Sequence, residues 1–269
     1  MTTIATGGFA NYDASFGAFA GPVEYAASVF MILAALPFVR YVQLINGHGT
    51  PMLLDSQIRG FMMTLGLLVA IAAGVLYYAR PHGGEEALRS ALFNITSIMS
   101  GTGYASADYM QWGSFLVMIF FFTGLIGGCA GSTACSVKIF RYQLLFASIR
   151  NQIQRIRSPH GVFITRYDGR PVDAEVLSSV ISFFMFFVVT LGVVAWALAL
   201  TGLDFVTAVS GAATAVANIG PGLGDTIGPA GNFSTLNDPA KWILSAAMLI
   251  GRLELMAVYA ILTVRFWRG

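Results

Sequence analysis

The chain has 269 residues, of which 56% are hydrophobic, 13% aromatic and only 10% charged, with a net charge of +2 and a mean hydropathy of +0.71. That composition excludes a soluble domain and predicts an all-α, polytopic membrane protein without a separate soluble part. The charge offers no basis for nucleic-acid binding, and Cys129, Cys135, His48, His82 and His160 are too few and too scattered for a zinc site or a disulfide framework.

The chain opens on polar, glycine-rich sequence, MTTIATGGF, with no charged-then-apolar leader ahead of it. Pro22 to Ile45 is the first apolar stretch long enough to cross about 30 Å of hydrocarbon, and Gln57 to Ala79, left through Arg80, is the second. Glu86 to Ser97 has helical character over 12 residues. At 1.5 Å per residue such a helix reaches only about 18 Å, so it should enter the bilayer and stop.

Beyond it lies SIMSGTGYASAD, Ser97 to Asp108, and from Trp112 a third span broken by Gly124, Gly127, Gly128 and Gly131. Glycine costs about 1 kcal/mol in a helix interior, so this cluster should open the helix midway. A more polar helix and a small hairpin follow, Val162 to Val172, turning at Asp168 and Gly169 with Pro171 weakening its second strand. Val176 to Leu200 is the fourth span. Asp204, a helix cap, opens a second short helix to Ala217 that leads into NIGPGLGDTIGPAGN, and Pro239 to Trp267 is the fifth span.

About five transmembrane helices and two complete pore helices are therefore expected. Lys138, Arg141, Arg150, Arg155, Arg157, Arg166 and Arg170 against Asp168 and Asp173 place residues 137–173 in the cytoplasm, with Arg40, Arg59, Arg265 and Arg268 on the same side. The glycine-rich stretches then face outward.

Shifting the chain by 95 residues lays TIATGGFANYDASFGAF from Thr3 over IMSGTGYASADYMQWGS from Ile98, with Gly8 on Gly103 and Asp13 on Asp108. A weaker third copy sets Gly220 on Gly103 and Asp225 on Asp108. Repeats of span, short helix, glycine-rich strand and span bring irregular backbone to membrane depth, which is tolerable only against protein or water. Such backbone can turn its carbonyls to an axis and replace the water shell of a monovalent cation.

At these residues the sequence resembles the Trk/Ktr/HKT superfamily of potassium transporters, most closely the bacterial Trk uptake subunits, over essentially the whole chain. TIATGGF is similar to the end of that family's second pore loop, ALFNITSIMSGTGYASADY to its third, and VANIGPGLGDTIGPAGNFSTL to its fourth. GGCAGSTACSVKIFR is similar to its broken third-repeat helix and LIGRLE to its final helix. The resemblance implies that residues 1–45 hold the filter end and second span of repeat two, 46–136 repeat three, 137–173 a cytoplasmic helix and hairpin, and 174–269 repeat four. The first repeat is not represented.

It also implies potassium as the bound ion, at a filter built from Thr6, Gly7 and Gly8, Gly101, Thr102 and Gly103, and Asn218, Ile219 and Gly220. The implied gate is Gly127, Gly128, Gly131 and Ser132 with Arg252, although Ala134 and Cys135 stand where the family more often has glycine or serine. The implied setting is a homodimer in the bacterial inner membrane, with its C-terminus in the cytoplasm. A separate cytoplasmic regulatory subunit would bind nucleotide, and this chain itself would bind none.

Two further readings come from charge. Arg252 lies mid-span, where an arginine costs at least about 2.5 kcal/mol, so it should face the bundle interior or water. It is either an electrostatic barrier in a pore or a structural ion pair, and Glu254, about 200° round the helix, is not its natural partner. Asp13, Asp108 and Asp225 either form an acidic outer mouth or cap the loops leaving the filter. A secondary carrier or a non-conducting membrane subunit are the alternative functions, and no catalytic constellation points to an enzyme.

Overall fold

The computed structural model describes residues 1–19, 21–79, 83–159, 161, 163–253 and 255–268. Arg80, His82, His160, Val162 and Glu254 lie outside the described residues, as does the Arg265 side chain. In chain order the helices are α1 (Val23–Ala34), α2 (Phe38–Ile45), α3 (Thr50–Leu54), α4 (Ser56–Ala79), α5 (Gly84–Ser100), α6 (Ser114–Ile126) and α7 (Ile139–Arg157). A hairpin of β1 (Arg166–Tyr167) and β2 (Arg170–Pro171) precedes α8 (Ala174–Leu200), α9 (Phe205–Ala217), α10 (Gly224–Ile227), α11 (Asp238–Arg252), α12 (Leu255–Leu262) and α13 (Val264–Arg268).

The architecture is the all-α membrane fold expected, but only α4 and α8 are unbroken helices long and apolar enough to cross a bilayer among the described residues. The first expected span is two helices whose axes diverge by 92°. Pro37 has no N–H and disfavours helix at Leu36, so α1 ends there. The peptide groups freed by the break are taken up from far along the chain: Cys129 N–H donates to Ala35 O at 3.0 Å and Thr133 N–H to Ala34 O at 3.3 Å, while Phe38 N–H donates to Gly131 O at 2.9 Å. The last expected span is likewise divided, into α11, α12 and α13.

The first short helix is longer than its sequence pattern indicates, 17 residues rather than 12. It runs on to Ser100 because Gly101 adopts the left-handed conformation (φ 73°, ψ 19°) that closes a helix C-terminus, its N–H bonded to Ile98 O. α6 stops at Gly127, and Lys138 N–H to Ile126 O and Ile139 N–H to Gly128 O, both 3.0 Å, close residues 127–138 into a loop. The hairpin turns at Asp168 and Gly169, both at positive φ, and pairs Arg166 with Pro171.

Burial locates the centre of the bundle. All residues from Phe93 to Ser100 in α5 and from Ser210 to Ala217 in α9 are buried. A helix buried on every side lies inside a bundle, so the C-terminal halves of α5 and α9 are its core. α5 packs against α1, α4 and α6, and α9 against α6, α8 and α11. Met63, Leu67, Val188, Val193 and Trp196 face outward on α4 and α8, where lipid would meet them.

Two polar contacts pin this arrangement. Glu24, 2% exposed on α1, accepts a hydrogen bond from Arg89 of α5, which also reaches Glu85 at 3.1 Å. Removing one partner of a buried pair strands the other, at about 3–5 kcal/mol. Arg89→Leu is therefore expected to lower the thermal unfolding midpoint in detergent steeply, with Glu24→Leu added to it recovering most of the loss.

Asp204 caps α9 by accepting the Thr207 N–H at 3.1 Å. The Thr207 side chain and N–H hold its carboxyl below the ordinary carboxylate range. Its contribution is therefore complete above that range and lost as pH falls through the lowered value. Asp204→Ala should cost about 1 kcal/mol at neutral pH, whereas Asp204→Asn should keep the cap and abolish its acid dependence, both read from pH-dependent unfolding.

Candidate functional site

The buried ends of α5 and α9 deliver Gly101, Thr102 and Gly103, and Asn218, Ile219 and Gly220, to the middle of the bundle, where Thr6, Gly7 and Gly8 join them. In each triplet the first and third residues have positive φ: Thr6 (48°) and Gly8 (64°), Gly101 (73°) and Gly103 (83°), Asn218 (54°) and Gly220 (119°). That shared pattern is visible in the glycines alone; Thr6 and Asn218 adopt it without the glycine that makes it cheap.

The amides show which way the carbonyls turn. Thr102 and Gly103 N–H donate back to Ser97 O at 2.9 and 3.3 Å; Ile219 N–H donates to Thr214 O at 3.0 Å and Gly220 N–H to the Thr214 hydroxyl at 3.0 Å. Thr6 and Gly7 N–H donate to Thr3 O and Thr2 O. In a planar trans peptide N–H and C=O point in opposite directions, so the preceding carbonyls point away from the ends of α5 and α9 and from the turn at Thr2 and Thr3. No hydrogen bond from any described residue reaches the carbonyl oxygens of the nine residues.

The stretches also lie side by side in chain order. A methyl at Gly8 would stand 2.0 Å from Thr102 O, and one at Gly103 would stand 2.0 Å from Ile219 O. Only glycine permits these approaches. Gly124 of α6 makes equivalent room for the Ile219 side chain, whose Cδ1 would be 2.4 Å from an added methyl. Unengaged carbonyls on strands packed this closely offer neutral, hard oxygens of the kind that can replace a cation's hydration shell.

Directly against this cluster sits the loop of residues 127–138. Gly127 (φ 77°) and Gly131 (φ 74°) adopt conformations open to glycine, a methyl at Gly128 would strike Ala134, and the Ser132 hydroxyl bonds Cys129 O at 2.7 Å. Thr133 is the hub. Its carbonyl accepts from the Thr6 hydroxyl at 3.0 Å and from Arg252 Nη1 at 3.4 Å, while its own hydroxyl reaches Ala34 O and Ile4 O. Ser136 bonds Gly124 O and Ala217 O, and Gln57 of α4 accepts the Ala130 N–H at 2.8 Å.

Arg252 is exposed at the end of α11, where its charge complements the helix dipole, and it also contacts Cys135 Sγ. With Lys138, Arg141, Ser132, Thr133 and Cys135 it lines a cavity of about 310 Å³ on the far side of the loop. Gly251, beside it, lets α11 press on the end of α9: a methyl there would lie 2.0 Å from Val216 O. Asn218 Nδ2 in turn donates to Met248 O at 3.0 Å.

The three aspartates are divided. Asp13 and Asp108 line one cavity of about 430 Å³ with Ala105 and Pro229. Asp225 lies in α10 and is not among its lining residues. Asp108 also accepts from Met110 N–H and Gln111 Nε2 as the cap of a short 3-10 turn.

Thr133, Gln57, Gly251 and the α1–α2 break were not singled out from sequence. Their partners lie across the bundle, and only the glycine in LIGRLE carried a local signal.

Comparison with known proteins decides the family. A family model described as TrkH, cation transport protein, matches residues 1–266. The chain belongs to this family. It is 46% identical over 270 residues to the Trk system potassium uptake protein TrkI of Halomonas elongata, covering 100% of this chain and 55% of that one. It is 31% identical to TrkH of Escherichia coli K12, covering 100% and 56%. The crystal structure of the potassium transporter TrkH from Vibrio parahaemolyticus matches with a TM-score of 0.92 at 31% identity, over 99% of this chain and 57% of that chain. The chain thus spans little more than half the length of these relatives, in a family of multi-pass membrane transporters, not enzymes.

The close contact at Gly251 is testable. Forcing a methyl into a packed helix crossing costs typically about 1–3 kcal/mol, so Gly251→Ala should reduce stability in the membrane fraction. Gly66→Ala in α4, where an added methyl meets nothing within 4 Å, should be neutral or better when measured by the same thermal assay.

Proposed function

We propose that this chain forms three adjacent strands of the selectivity filter of a potassium-uptake pathway across a bacterial cytoplasmic membrane. The observation that carries the reading is the set of unengaged carbonyls at Thr6–Gly8, Gly101–Gly103 and Asn218–Gly220, turned from the helix or turn before each and packed strand to strand. The uptake function named for TrkI and TrkH supports the same ion.

In this reading a dehydrated potassium ion exchanges water for filter carbonyls. The loop at Gly127, Gly128, Gly131 and Ser132 closes the path below them, and Arg252 opposes cation passage while the loop is held. Asp13 and Asp108 raise the local cation concentration at the outer cavity. The basic α7 and its hairpin face the cytoplasm, as does the C-terminus. Assembly as a homodimer with a cytoplasmic nucleotide-binding regulatory subunit belongs to the same proposal.

The test is uptake by the full-length protein in bacteria stripped of their own potassium systems. Rubidium should enter and potassium should compete with it. Gly103→Ala should abolish uptake, because its methyl displaces Ile219 O. Arg252→Ala should raise the uptake rate severalfold. Rubidium entry no faster than in cells without the protein would overturn the function, and an unchanged rate and gating in Arg252→Ala would overturn the barrier.

A further inference from the structure

We propose that Asn94 and Ser210 are positioning residues for ion selection, each clamping the outer end of a filter strand to the pore helix before it. The inference rests on the potassium pathway proposed above.

Asn94 of α5 is 0% exposed. Its Oδ1 accepts the Ser106 N–H at 3.1 Å, and its Nδ2 donates to the Ser106 hydroxyl at 3.0 Å and to Ser90 O at 2.8 Å. Ser210 of α9 is 3% exposed. Its hydroxyl accepts the Leu223 N–H at 2.9 Å and contacts Leu223 O at 3.3 Å.

Counted from Gly101 and Asn218, Ser106 and Leu223 occupy the same place, the fifth residue onward. Two unlike side chains, on two different pore helices, therefore capture the same amide of the repeat. Shape alone does not call for this: an apolar side chain would fill either site but leave the Ser106 or Leu223 N–H without its acceptor.

The bonds complete a two-point attachment. At its inner end each strand is fixed by amides donating to the last turn of the pore helix, Thr102 to Ser97 O and Ile219 to Thr214 O. At its outer end it is fixed by Asn94 or Ser210. The filter carbonyls lie between these two anchors. Carbonyls held at both ends are hindered from drawing in around an ion smaller than potassium, which would need shorter contacts to repay its dehydration. The Asn94 clamp extends further, because the adjoining Ala105 O accepts the Phe16 and Gly17 N–H groups at 3.0 and 3.1 Å and so ties down the loop that follows Thr6–Gly8.

The experiment measures initial rates of rubidium and sodium uptake by the full-length protein, each divided by its amount in the membrane. Ser210→Ala and Asn94→Leu should each lower the rubidium-to-sodium ratio by roughly three- to tenfold, the factor set by one net hydrogen bond. Ser210→Thr, which keeps the hydroxyl, should restore it. Should Asn94→Leu fail to reach the membrane, Ser210→Ala, which removes a single oxygen, decides the matter. Selective uptake with an unchanged ratio in these variants would overturn the clamp alone. Absence of rubidium uptake in the unmodified protein would instead overturn the potassium reading, and the clamp with it.

Discussion

A peptide group that leaves a helix within the thickness of a bilayer has no water to bond and must find a partner in the protein. This chain leaves helical geometry there at several places, and the breaks supply one another. Ala34 O, Ala35 O and Phe38 N–H, released where α1 ends and α2 begins, are met by Thr133, Cys129 and Gly131 of the loop after α6. That loop meets Thr6 through Thr133 and Ala217 O through Ser136. The carbonyls of the three glycine-rich stretches receive no hydrogen bond from any described residue, and the stretches pack directly against one another.

The same constraint explains what could be read from the sequence. Hydropathy placed α4 and α8 well, because each satisfies its own backbone and needs only length and apolar composition. It joined α1 to α2 because Pro37 is one residue in an apolar run, and the groups that stabilise the break lie about 95 residues further on. The repeat relating Gly8, Gly103 and Gly220 was legible because left-handed backbone and close strand contact both demand glycine. The matching conformation of Thr6 was not, since a β-branched residue does not announce positive φ, whereas Asn218 is of a type that tolerates it at a helix end.

The outer clamps show a different limit. Aligning Gly101 with Asn218 superposes Ser106 on Leu223, residues with no chemical likeness, and the shared feature is a backbone N–H that every non-proline residue possesses. The partners, Asn94 and Ser210, stand seven and eight residues before their strands. A common bond made by different side chains at offset positions leaves no pattern in one sequence.

Charge gives the site a direction. On one side of the carbonyls Asp13 and Asp108 border an open cavity; on the other, beyond the loop, Lys138, Arg141 and Arg252 border another. Along the proposed pathway a cation is drawn to the first and opposed at the second, and both effects weaken with salt where the cavities are wet. The attachments of Arg252 tie it to both a helix end and the loop. It ends α11, whose dipole favours positive charge there, and it bonds the carbonyl of Thr133, the residue that also holds Thr6. Displacing the loop would break the Arg252 and Thr6 contacts at one residue, so in the proposed gating the barrier and the strand would be loosened together rather than in turn.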